Sequence, residues 1–151
     1  MAKWTKVDWD RLNTPREEEI QGVTVSVFFS PYDMPEKVRG YYSQDRKKFI
    51  IEFRYLGGQE PLKHESTEDN IVLGIGKTTE RLHEIEIDVD SAGVSEVQLR
   101  LGPDELEKRV ENAIRRYDLA RTQPPTNSNF SAVTEAIGQE RDSIFEELVS
   151  Q

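Results

Sequence analysis

Apolar and polar positions alternate with a period of two through the middle of the chain. From Gly22, the residues Val23, Val25, Val27 and Phe29 alternate with Thr24 and Ser26, as in a strand with one buried face. Pro31 and Pro35 end that run, because proline donates no ladder hydrogen bond. Val38 to Tyr42 predicts a short strand. Ser43-Gln44-Asp45-Arg46 predicts a turn into Phe49, Ile51, Phe53 and Tyr55, with Glu52 and Arg54 on the opposite face. Ile71, Leu73 and Ile75 continue the pattern. After a turn at Lys77 to Glu80, the run Leu82 to Asp90 sets His83, Ile85, Ile87 and Val89 against Glu84, Glu86, Asp88 and Asp90. Ser91-Ala92-Gly93 then turns the chain into Val97, Leu99 and Leu101. The expectation is five or six antiparallel strands in sequence order.

The period then lengthens to that of a helix. Gly102-Pro103-Asp104-Glu105 combines first-turn proline with acids at the positive end of the dipole, and Leu106, Val110, Ala113, Ile114 and Tyr117 form one stripe. Thr122 to Asn129 consists of breakers and cap-formers and reads as a linker. Beyond it Phe130, Val133, Ile137, Ile144 and Leu148 return to helical spacing, interrupted by Gly138. The predicted class is α+β: an antiparallel β-meander with one helix packed on one face and a C-terminal helix. The expected organisation is an N-terminal arm (1–20), a core domain (21–121), a linker (122–129) and the C-terminal helix (130–151). The arm holds Trp4 and Trp9 among charges with no sustained period. Gly57-Gly58 opens a polar loop, 57–69, containing His64, Glu65, Glu68 and Asp69.

From Tyr42 to Val89 the residues Tyr42, Asp45, Phe49, Ile51 and Phe53, followed by Arg81, Leu82, Ile85, Glu86 and Ile87, resemble those of small uncharacterised bacterial β-meander domains. In these domains a Tyr-Asp turn precedes an aromatic strand, and a hairpin ends in an Arg-Leu-x-x-Ile-Glu-Ile strand. Lys77-Thr78-Thr79-Glu80 stands where such domains tend to carry a glycine. The resemblance implies a fold without a known activity and assigns no site residues.

Composition narrows the function classes. A chain of 151 residues fits one domain. Its net charge of −9 opposes phosphate backbones and anionic headgroups, so neither nucleic acid nor membrane is an expected partner. Zero cysteines suits a reducing compartment, and no run approaches a membrane span or signal peptide, so the expected location is cytoplasmic.

Individual motifs fall short of chemistry. Gly74-Ile75-Gly76-Lys77-Thr78 imitates a phosphate-binding loop, but Ile71 replaces the required earlier glycine and a strand, not a helix, is expected to follow; a hairpin turn is the better reading. Asp88-Val89-Asp90-Ser91-Ala92-Gly93 imitates the start of a calcium loop, yet Leu99 stands where the bidentate acid belongs. Repulsion among Glu86, Asp88 and Asp90 leaves only a weak surface cation site, and otherwise a solvated face. His83 reads as a packed or edge histidine and His64 as solvated. Arg39-Gly40-Tyr41-Tyr42 resembles the opening of an RNA-binding sheet motif, but Ser43 replaces the next aromatic, which favours hairpin packing.

No catalytic residue and no cofactor is expected. The favoured expectation is a non-enzymatic protein-interaction or scaffold module, with a protein partner or a second copy as occupant and a homodimer among the expected assemblies. Its candidate contacts are Phe130, Val133, Ile137, Ile144, Leu148, Trp4 and Trp9. The alternative is a small-molecule-binding or catalytic domain using the polar loop 57–69.

Overall fold

The computed structural model describes residues 3–8, 16–27, 31–67, 71–88, 103–120 and 128–144. Its strands are β1 (Thr5–Lys6), β2 (Arg16–Ile20), β3 (Val23–Val27), β4 (Lys37–Ser43), β5 (Lys48–Arg54), β6 (Leu62–Ser66), β7 (Ile71–Gly76) and β8 (Leu82–Asp88). The helices are α1 (Pro103–Ala120) and α2 (Ser128–Gln139), with a 3-10 turn at Pro31–Asp33 and a further helical turn at 141–144. The α+β class and the antiparallel sheet agree with the sequence. No described helix is long and apolar enough to cross a membrane.

The sheet runs in the order β1-β4-β5-β8-β7-β6, while β2 and β3 pair as a separate two-stranded ribbon. The strands are therefore not in sequence order. After the β4–β5 hairpin the chain passes to the far edge, lays down β6, and returns through β7 so that β8 docks on β5. Polarity explains the rearrangement. Strands β5 and β8 supply Phe49, Ile51, Phe53, Ile85 and Ile87 and fill the centre, whereas Leu62-Lys63-His64-Glu65-Ser66 is too polar for anything but an edge. The same polarity gives this segment the sequence pattern of a loop, and the expected loop 57–69 in fact contains β6.

The N-terminal arm is also partly structured. Residues Thr5–Lys6 pair with β4, and Arg16–Ile20 pairs with β3 through a two-residue turn in which Gln21 (φ 52°) and Gly22 (φ 81°) are both left-handed. The expected strands' residues Phe29, Val89, Val97, Leu99 and Leu101 lie outside the described residues.

One face of the sheet carries the core. Val38, Phe49, Ile51, Phe53, Ile71, Leu73, Ile75, Leu82 and Ile85 are buried there against Val110, Ala113 and Ile114 of α1 and Phe130, Val133, Ala136 and Ile137 of α2. Tyr117 and Phe130 meet ring to ring at 5.8 Å between the helices. Four of the five apolar residues offered by the C-terminal segment to a partner, Phe130, Val133, Ile137 and Ile144, are thus buried within their own domain; Leu148 lies outside the described residues. Helix α2 begins at Ser128, inside the expected linker, and its Asn129 is buried.

A β-bulge shapes the end of β8. Gly74 opposes Glu84 but Ile75 opposes Leu82, so His83 is an extra residue and both Leu82 and His83 are buried. The bulge disturbs the ladder around Leu82, and side chains complete its bonding. The Leu82 N–H donates to Asn129 Oδ1 at 2.9 Å, and the Leu82 carbonyl accepts the Tyr55 hydroxyl at 2.5 Å.

Candidate functional site on the second sheet face

Cross-strand register aligns the side chains of the second sheet face in rows. One row joins Lys6 of β1, Lys37 of β4 and Arg54 of β5. The next joins Arg39, Glu52, Glu84, Gly74 and His64 across five strands, and a third joins Tyr41, Ile50, Glu86, Val72 and Ser66.

The first row is cationic from end to end. Like charges directly opposite each other destabilise a sheet, and among the described residues no carboxylate pairs with Lys6, Lys37 or Arg54. Trp4 adjoins this row: its ring lies 4.4 Å from the Arg39 guanidinium and 4.3 Å from that of Arg54. Arg39 also approaches the Tyr41 ring at 4.9 Å and binds Glu52 at 3.0 Å. The Tyr41 hydroxyl donates to the other Glu52 oxygen; partial burial and that bond push its pKa up to about 12. The result is a corner of aromatic and guanidinium groups held in place by hydrogen bonds.

The centre of the face is acidic. Glu84 and Glu86 point the same way from β8, and Arg46 reaches both from the β4–β5 turn, at 2.7 Å from Glu84. Lys48 adds a 3.3 Å contact to Glu86. His64 Nε2 lies 3.7 Å from Glu84 Oε1. Of the expected acidic candidates, Glu86 is buried here and Asp88 lines a shallow cavity beside it, whereas Asp90 lies outside the described residues.

Among the described residues, the two histidines take different partners. His64 joins Glu84, while His83 sits with Glu60, Nε2 to Oε2 at 3.0 Å, and edge-on to Tyr55 at 5.0 Å; Glu68 and Asp69 lie outside the described residues. Glu60 was not singled out by any motif, yet its carboxylate lies against Gly76 and accepts the N–H groups of Thr78 and Thr79 and the Thr79 hydroxyl. The phosphate-loop look-alike is therefore a hairpin turn whose N–H groups already hold an internal anion. These bonds also secure a turn that lacks glycine, with Glu80 in the left-handed region at φ 60°.

Desolvation raises the Glu60 pKa, but the Thr79, Thr78 and His83 hydrogen bonds outweigh it and hold the carboxyl at about 2. An unfolded glutamate titrates at about 4.5, so Glu60 contributes stability that is complete above that pH and is lost as pH falls toward 2. Glu60→Gln should lower Tm at neutral pH and flatten the loss of Tm between about pH 5 and about pH 2. An acid limb as steep as the parent's would show that another carboxylate dominates.

No protein-family model, no curated protein and no solved structure matches the chain.

Proposed function

We propose that the chain is a non-enzymatic protein-interaction module that docks an acidic segment of a partner protein on the Trp4–Lys6–Lys37–Arg54 corner of its sheet. The observation that supports this reading is the cationic row Lys6–Lys37–Arg54, which has no carboxylate partner among the described residues, in a chain whose net charge is −9. Three cations facing one another cost stability unless an anion joins them. Tryptophan, tyrosine and arginine beside them are the residue types that dominate binding energy at protein interfaces. The described residues of the C-terminal stripe, by contrast, are buried in the domain's own core.

A fluorescein-labelled decaglutamate peptide, followed by anisotropy, provides the test. Binding should be saturable, weaken with salt, and fall at least about tenfold in Lys37→Glu/Arg54→Glu, with a smaller loss in Trp4→Ala. Equal binding by the parent and the charge-reversed variant would sink the proposal. Light scattering of the same two proteins separates a second copy from a distinct partner. A dimer that charge reversal dissolves would make a second copy the occupant and overturn the reading of a separate partner.

A further inference from the structure

We infer that His64, Glu84 and Glu86 form an open site for one zinc-type divalent ion, with Arg46 as the internal cation that the metal displaces. One donor atom from each of the three residues lies within 4.8 Å of the others. An imidazole nitrogen with two carboxylate oxygens is a set that suits Zn²⁺ and leaves a coordination position open.

The fold explains how residues from non-adjacent strands meet. Strand β7 separates β6 from β8, but its residue in the shared row is Gly74, so no β7 side chain in that row stands between His64 and Glu84. A Cβ at position 74 would sit 3.0 Å from the Glu84 Cβ. A cavity of about 200 Å³, lined also by Lys48, Ser66, Val72 and Asp88, adjoins Glu86 on the side away from His64 and Glu84, neither of which lines it.

Burial makes the carboxylates demanding. The Glu84 and Glu86 side chains are only 12% and 7% exposed and project from alternate positions of one strand, so their charges require a counter-ion. Arg46 supplies one from a turn where its own side chain is 41% exposed, so it can swing into solvent once an ion takes its place between the carboxylates. His64 has no such competitor: among the described residues its contact is Glu84. An arginine that holds the acids in the absence of metal predicts an unusual sign, in which removing a cation tightens cation binding.

Isothermal titration of the full chain with zinc sulfate should give one site per chain. His64→Ala and Glu84→Gln should each weaken it at least about tenfold, since even outer partners of a metal ligand are worth about 10–100-fold. Arg46→Ala should tighten it. Calcium, which has no preference for an imidazole, should bind more weakly and be indifferent to His64→Ala. The inference is overturned if the parent shows no saturable site, if His64→Ala binds zinc like the parent, or if Arg46→Ala binds it more weakly. Far-ultraviolet circular dichroism of each variant confirms that the sheet is intact, and the exposed edge position of His64 makes that variant benign to folding.

Discussion

Replacing Asn129 with alanine should lower the unfolding free energy by about 2–4 kcal/mol, because it strips partners from several buried groups at about 1–3 kcal/mol each. The Asn129 amide accepts from the Leu82 N–H at 2.9 Å and donates to the Asp33 carbonyl at 2.8 Å and to the Tyr55 hydroxyl oxygen at 3.0 Å. It thereby ties the first turn of α2 to the β8 bulge and to the turn after β3. Burial keeps the Tyr55 phenol far above its ordinary range, outweighing the opposite pull of the Asn129 hydrogen bond and of Arg81, so it remains a neutral donor to Leu82 at any ordinary pH. Asn129→Asp sharpens the test. It retains the acceptor for Leu82 but turns an oxygen toward the Asp33 carbonyl, so it should be at least as damaging as alanine. Urea titration of both variants reads the effect; a loss below about 1 kcal/mol for alanine would mean that apolar contacts alone dock α2.

Asn129 also shows where sequence reading stops. A residue that suits helix caps and turns is equally at home in a linker, and Thr122 to Asn129 carries only such residues. The need for a buried amide arises from an unpaired N–H on Leu82, which arises from a bulge, which depends on register between β7 and β8. None of these is local. What was legible was the apolar alternation of β4, β5, β7 and β8 and the stripe of α1, because one buried face imposes its period on the residues themselves. Strand β6 was illegible for the converse reason: at an edge, the backbone ladder with β7 holds a polar segment that has no apolar period to display.

The candidate site follows the same division. Trp4, His64 and Glu86 are conspicuous residue types and could be singled out from sequence. The cationic row could not, since Lys6, Lys37 and Arg54 become neighbours only through the β1–β4 and β4–β5 registers. Nor could the pairing of His64 with Glu84, which requires β6 to lie beside β7 and Gly74 to leave the row open. Glu60 carried no motif at all; its role exists because the β5–β6 connection passes the 77–80 turn.

Gly40→Ala should also destabilise the fold, by about 2 kcal/mol net, and its sign is informative. In an open strand the exchange would be favourable by about 0.5–1 kcal/mol, because glycine loses more chain entropy than alanine on folding. Gly40, however, faces the core opposite Ile51, and the helical turn at 141–144 rests on it. An added Cβ would lie 2.3 Å from the Ile144 carbonyl oxygen and 3.0 Å from both the Ile144 Cγ2 and the Phe49 ring. A backbone carbonyl has no rotamer by which to withdraw, and that turn is held by the Ile144 N–H bonding to the Glu140 carbonyl at 2.9 Å. The strand or the turn must therefore move as a unit, and the steric term exceeds the entropic one. Amide exchange should localise the response, with protection lost first at Ile144 and then along β4. A variant that is as stable as the parent, or more so, would show that the turn at 141–144 does not rest on the sheet, and the burial of Ile144 would have to be abandoned with it.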